Sequence, residues 1–138
     1  MTNDTATAEA VFSQIKDAAE RHANPEVRFV RTMQVGQWVR QGDINIARVG
    51  DRAARGTETW RRQLAPGETQ GSRHVVADGG VRVYLPAKPG PLVGPVIVAK
   101  ERCVVTHPEH AHVSLPSGTY AVTFQRNYAM EEITRVQD

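Results

Sequence analysis

Beyond Pro25 the chain is a series of short β-patterned runs separated by turn residues, and this punctuation restricts the fold more than any other feature. Val27 and Phe29 alternate with Arg28 and Val30, Val35–Arg40 carries Trp38, and alternation returns from Ile44 to Val49. Gln41-Gly42-Asp43 and Ala65-Pro66-Gly67 are turn signals, because Gly and Pro supply backbone angles that strands avoid. Thr57–Leu64 has strand propensity with mixed polarity. His74–Ala77 and Val81–Leu85, on either side of Asp78-Gly79-Gly80, read as a hairpin. Pro86–Pro95, with four prolines and two glycines, reads as an extended loop. Val96–Thr106 and Thr119–Arg126 read as the two strongest strands and are expected to close the core. Roughly seven short strands with a break about every 8–12 residues predict a mainly β protein, a small antiparallel β-barrel or sandwich. No strand–helix–strand alternation occurs, which argues against a doubly wound parallel sheet.

Before Pro25 the period is helical. Ala8, Val11, Phe12, Ile15, Ala18, Ala19 and His22 form one amphipathic stripe over Thr5–Ala23, capped by Asp4 or Thr5 and ended by Asn24-Pro25. The expected organisation is an N-terminal helix over 1–25 and a β-rich domain over 26–138, with a short terminal helix at Glu131–Val136.

At 138 residues and 6% aromatic, the core must come from Val, Ile, Leu and Ala, with Phe29, Trp38, Trp60, Phe124 and the tyrosines as anchors. Cys103 is alone, which excludes an internal disulfide, and its valine neighbours mark it as a small core residue. The first 25 residues lack the apolar stretch of a signal peptide, and no run approaches the ~18 apolar residues of a membrane span. The expectation is a soluble protein made in the cytoplasm, with no membrane contact.

Arginine outnumbers lysine fourteen to three. Residues 26–62 hold eight arginines against four acids. Aromatics are not interleaved there as a base-stacking platform requires, so nucleic acid is not the expected partner. The favoured reading is a sheet face that pairs with carboxylates, and Arg48, Arg52, Arg55, Arg61 and Arg62 are the candidate protein-interface residues. Gly67–Gly71 lacks the G-K-[ST] ending of a phosphate loop, and Ser72 beside His74 lacks a nucleophile elbow, so Ser72 reads as a turn hydroxyl.

Three of the five histidines fall between His107 and His112. His110 and His112 share a face of an extended segment, Pro108 bends His107 toward them, and His74 or Glu109 could complete a set. Imidazoles so grouped suit zinc or another divalent ion. The competing reading, which we prefer, is a structured surface turn in which one imidazole caps backbone groups and no cofactor is bound, since Pro108 and Leu115-Pro116-Ser117-Gly118 fix chain reversals.

Several segments together resemble a family of small uncharacterised proteins of bacteria and their phages: Gln41-Gly42-Asp43-Ile44, Gly67-Glu-Thr-Gln-Gly71 with His74-Val-Val76, Thr106-His-Pro-Glu-His110, Leu115-Pro-Ser-Gly-Thr-Tyr120, Gln125-Arg-Asn-Tyr128 and Glu131–Asp138. Relatives tend to show G-H-x-H where this chain has Gly71-Ser-Arg-His74. The resemblance implies a bacterial or phage-borne setting. Together with the absence of a coherent catalytic set, it leads us to expect a non-enzymatic assembly protein. The expected role is a homo-oligomeric virion accessory, such as a capsid decoration subunit, that contacts other protein subunits including a capsid protein. The alternative is a metal-binding protein or metal-dependent enzyme built on His74, His107, His110 and His112.

Overall fold

The structure, a computed structural model, describes residues 26–77 and 79–125. The expected helices at 1–25 and 131–136 lie outside the described residues, as does the end of the expected strand at Arg126. The described chain is mainly β, with ten strands: β1 Val27–Phe29, β2 Trp38–Gln41, β3 Ile44–Val49, β4 Glu58–Thr59, β5 Val75–Val76, β6 Val81–Tyr84, β7 Val93–Ala99, β8 Cys103–Thr106, β9 His112–Leu115 and β10 Gly118–Phe124. A single-turn 3-10 segment, Gln70–Ser72, precedes β5. None of the helices among the described residues is long and apolar enough to cross a membrane.

The strands form two open sheets, with orders β1-β9-β8-β5 and β2-β3-β10-β7-β6-β4. The sandwich half of the sequence expectation therefore holds, and the closed barrel does not. Every strand pair is antiparallel except β1 with β9, where Val27, Arg28 and Phe29 run parallel to His112, Val113 and Ser114. Inward positions are largely aliphatic: Ile44 and Ile46 on β3, Val81 and Val83 on β6, Val105 on β8, Val113 and Leu115 on β9. Each such side chain contributes about 1.5–3 kcal/mol when removed from water. Cys103 is buried as expected, and burial pushes its thiol up to about 11.

The aromatic anchors are not where composition put them. Tyr120 and Phe124 are buried, but Phe29, Trp38 and Trp60 are exposed. Phe29 lies instead beneath the Arg102 guanidinium, 4.0 Å from the ring centroid.

Two strand assignments are corrected. The run Val96–Thr106 is two strands in different sheets, broken at the charged triplet Lys100-Glu101-Arg102. Arg102 clasps this corner by donating to the Val30 carbonyl at 2.8 Å and the Arg31 carbonyl at 3.2 Å. The hairpin of His74–Ala77 with Val81–Leu85 does not form. β5 pairs with β8, Val75 opposite Thr106, whereas β6 pairs with β4 and β7. Gly79 and Gly80, at φ of 107° and 62°, carry the chain from one sheet to the other rather than back on itself. A glycine turn between apolar runs looks the same locally in both cases. Which partner each strand finds is decided by long-range burial.

A third corner, between β9 and β10, explains Leu115-Pro116-Ser117-Gly118-Thr119-Tyr120. The fully buried Tyr120 donates its hydroxyl back to the Pro116 carbonyl at 2.6 Å. This is the bond by which a tyrosine stabilises a corner in a β-sandwich.

Candidate functional site

Three segments that are distant in sequence meet at one end of the sandwich: the β2–β3 turn, the residues after the 3-10 segment, and the β8–β9 turn. Gly42 makes the first turn at φ 56°. A Cβ there would lie 2.7 Å from His110 Cδ2 and 3.3 Å from His74 Cε1, so the turn backbone is the surface against which both rings pack. The second segment is pinned from both sides. Leu64 N–H donates to the His74 carbonyl at 2.7 Å, and Ser72 carries the turn through Thr69, its N–H on the Thr69 carbonyl and the two hydroxyls 3.1 Å apart. Ser72 is thus the turn hydroxyl that the sequence suggested.

His74 is fully buried. Its Nδ1 is 2.8 Å from Gln41 Oε1 and its Nε2 is 3.0 Å from Asp43 Oδ1. The Gln41 amide in turn donates to the carbonyls of Val105 at 3.0 Å and Ala111 at 2.9 Å. Burial, the largest influence, lowers the His74 pKa, while the hydrogen bond from Asp43 acts in the opposite direction.

His107, also buried, accepts the backbone N–H groups of Glu109 at 3.0 Å and His110 at 3.2 Å on its Nδ1, and donates Nε2–H to the Gly71 carbonyl at 3.0 Å. That pattern places a ring proton on Nε2 and a lone pair on Nδ1. It is the backbone-capping imidazole foreseen in the surface-turn reading. The His107 ring lies 4.3 Å from that of His74 and 4.6 Å from that of His110, centroid to centroid. His110 is exposed.

Among the metal candidates, then, His74, His107 and His110 come together in a stack of rings. His112 lies on β9, with its pKa lowered mainly by burial. No group of three or more His, Cys, Asp or Glu side chains among the described residues is placed to hold a metal ion. Beside the stack a polar cleft of about 580 Å³ is lined by Glu26, Arg28, Arg40, Gly42, His110 and Ala111. Arg40 is oriented by donating from Nε to the Gly42 carbonyl at 2.8 Å and from Nη2 to Gln125 Oε1 at 3.1 Å.

Gln41 and Asp43 were legible only as a turn signal. Nothing in the local pattern says that a glutamine side chain will span two carbonyls about 65–70 residues away in sequence.

The arginine candidates separate. Arg48 is half-buried, donating to the Met33 carbonyl at 3.1 Å and lying 5.8 Å from the Tyr120 ring centroid. Arg55 covers the Tyr84 ring at 4.9 Å, and Arg52 is exposed. Arg61 and Arg62 line a second, larger hollow of about 880 Å³, with Trp60, Leu85, Val93 and Phe124 among its apolar walls. Trp60 is 84% exposed there, and Leu85 and Val93 are also open to solvent. One wall is the proline-rich segment Pro86–Pro95, which the sequence reads as a loop throughout but whose last three residues open β7.

The chain belongs to the family described as Domain of unknown function (DUF8820), whose model matches residues 40–125. The matched span contains all three segments of the histidine joint and the Trp60 groove. No curated protein and no solved structure matches the chain.

Proposed function

We propose that the protein is a non-enzymatic assembly subunit, a phage virion accessory of the capsid-decorating kind, which docks through its Trp60 groove. The observation that carries this reading is the groove itself. A tryptophan with 84% of its surface in water, beside two further exposed aliphatic side chains, is an apolar patch of the sort that marks an interaction site. Trp and Arg are the residues that most often dominate binding energy, and here Arg61 and Arg62 border the tryptophan. The proline-rich wall is stiff before contact, which lowers the entropy lost on docking. The occupant that fits is another protein subunit, with apolar side chains flanked by carboxylates that reach the two guanidinium groups. Arg62 already donates to the Val81 carbonyl at 2.8 Å, so its position is set before the partner arrives.

The test mixes the purified protein with assembled capsid shells from the phage genome that encodes it. Saturable co-sedimentation is expected. Trp60→Ser and Arg61→Glu should abolish it while leaving the far-ultraviolet circular dichroism spectrum unchanged. Absence of binding, or binding that ignores both substitutions, overturns the reading.

A rival reading places a divalent metal such as zinc on the set His74, His107, His110 and His112, although among the described residues no three such side chains are placed to hold one. Stoichiometric zinc, manganese or iron in the purified protein, whose chelation lowers the melting temperature, would replace the first reading with this one.

A further inference from the structure

The phase of the β2–β3 hairpin decides which backbone groups of β2 are left without a neighbour. Gln41 and Ile44 pair across the turn Gly42-Asp43, and Arg48 N–H donates to the Gln37 carbonyl at 2.9 Å. Bonded and non-bonded residue pairs alternate along an antiparallel ladder. Val39 and Gln41 therefore turn their N–H and C=O groups toward β3, whereas Trp38 and Arg40 turn theirs away. β2 is the outermost strand of its sheet, and no described residue bonds to these outward groups.

Beyond this edge the two sheets part. β1 is the outermost strand of the four-stranded sheet. Arg28 of β1 and Arg40 of β2 both line the 580 Å³ cleft. Arg28 also lines a neighbouring hollow of about 450 Å³ with Val30, Met33, Trp38 and Val39. Trp38 is 62% exposed there. The Arg40 guanidinium is held by two neutral acceptors, the Gly42 carbonyl and Gln125 Oε1, which fix its place and leave its charge uncompensated. Its other N–H groups remain for a ligand. Glu26 lines the cleft as well, yet neither guanidinium meets a carboxylate among the described residues.

We propose that the edge of β2 is a docking strand for an extended acidic segment of a partner protein, which adds to the six-stranded sheet and brings a carboxylate to Arg28 and Arg40. Backbone hydrogen bonds to Trp38 and Arg40 supply affinity that does not depend on sequence, as in other cases where a peptide extends a sheet. Side chains of the added strand opposite Trp38 and Arg40 share their face, so an apolar residue meets the indole and an acid meets the guanidinium. A carboxylate that takes two parallel N–H bonds from a guanidinium fixes the register as well. A second copy of this chain offers the same backbone groups, but it would bring its own Arg28 and Arg40 to a seam that already holds two guanidinium groups. Like charges facing each other oppose pairing, so the strand that fits carries the opposite charge. β2 and β4 are the two ends of one sheet, and β4 runs directly into Trp60. The docking edge is thus separate from the Trp60 groove, and either can be disabled alone. Arginine at a sheet edge also guards against unwanted pairing, and the test distinguishes guarding from recruiting.

The probe is a terminally blocked peptide of alternating valine and glutamate, with the matching valine–lysine peptide as control. Each is titrated at low ionic strength into the whole chain labelled with nitrogen-15. The glutamate peptide should give saturable shifts at the backbone amides of Trp38 and Arg40 and slow their hydrogen exchange, and the lysine peptide should not bind. Arg40→Glu should weaken the glutamate peptide about tenfold or more, the scale of one hydrogen bond to a charged group. Arg28→Glu combined with Arg40→Glu should reverse the preference toward lysine. Trp60→Ser should leave the titration unchanged, so a failure of the groove reading does not decide this one. If the two peptides bind alike, or neither binds, the arginines only guard the edge and the proposal is overturned. It is also overturned if the Trp38 and Arg40 amides already exchange slowly in the peptide-free monomer, or if the chain dimerises through β2 and the peptide cannot displace the second copy.

Discussion

At the histidine joint, Gln41, His74 and His107 spend every side-chain hydrogen-bonding atom on the protein itself. At the Trp60 groove the reverse holds: Trp60, Leu85 and Val93 leave apolar surface in water. The joint contains nearly all the residues that look like chemistry in the sequence, yet its polar atoms face inward and hold segments together. The groove has no motif, yet its apolar surface is left open to water. Histidine clustering marks where the chain must be held, and exposed apolar area marks where it can meet something else.

The comparison breaks first if the joint is not a structural hub. Gln41→Leu should cost about 3 kcal/mol or more, since it strands the carbonyls of Val105 and Ala111 and the Nδ1–H of His74, each worth about 1–3 kcal/mol when buried without a partner. Chemical denaturation with an unchanged slope would measure it. A loss under 1 kcal/mol would mean that water replaces the amide easily and that the joint is a loose pocket.

Next in size is Gly42→Ala. It adds a Cβ 2.7 Å from His110 Cδ2 and forces a left-handed conformation on alanine, for a combined cost of about 2 kcal/mol. Pairing the substitution with His110→Ala should recover the steric part and leave roughly the backbone cost, about 1 kcal/mol. If the double variant is no more stable than Gly42→Ala, the ring does not pack on the turn as described.

Tyr120→Phe should cost about 1 kcal/mol, the scale of one net hydrogen bond, because only the contact with the Pro116 carbonyl is removed. The ring still fills its place in the core. Neither Pro116 nor Tyr120 lines the groove, so the capsid-binding measurement should be unaffected. A change in binding would show that the corner and the groove are mechanically linked.

The β class and most strand positions were legible because alternation and Gly/Pro breaks are local. The sheet partners were not. Val75–Val76 and Val81–Tyr84 flank a glycine turn that suits a hairpin equally well, and only the choice of Thr106 and Val105 as partners places β5 in the other sheet. The corner itself carries a local signal, since the three consecutive charges Lys100-Glu101-Arg102 interrupt an apolar run. At the joint, the histidines are legible in the sequence and their partners are not. The role of Gln41 depends on two carbonyls supplied by β8 and by the turn before β9. The groove was legible only at Arg61 and Arg62. A lone tryptophan in a strand-like run reads as core, and nothing near Trp60 in sequence says that the opposing wall will be the proline loop.

The smallest expected change in stability is the one that sharpens the comparison most. Trp60→Ala should move the unfolding free energy by no more than about 0.5 kcal/mol, as for a surface substitution away from any cap or hydrogen bond. The side chain is 84% exposed in the isolated chain and gives up little buried area. The same substitution should remove binding to the partner shell, since truncation of a central tryptophan commonly costs 2 kcal/mol or more at an interface, roughly thirtyfold in affinity. Gln41→Leu should behave oppositely, with a large loss of stability and, in the fraction that remains folded, an intact groove. If Trp60→Ala destabilises the isolated fold by 2 kcal/mol, the tryptophan is a core residue of the chain in solution, and the division between holding and meeting fails at the residue on which it depends.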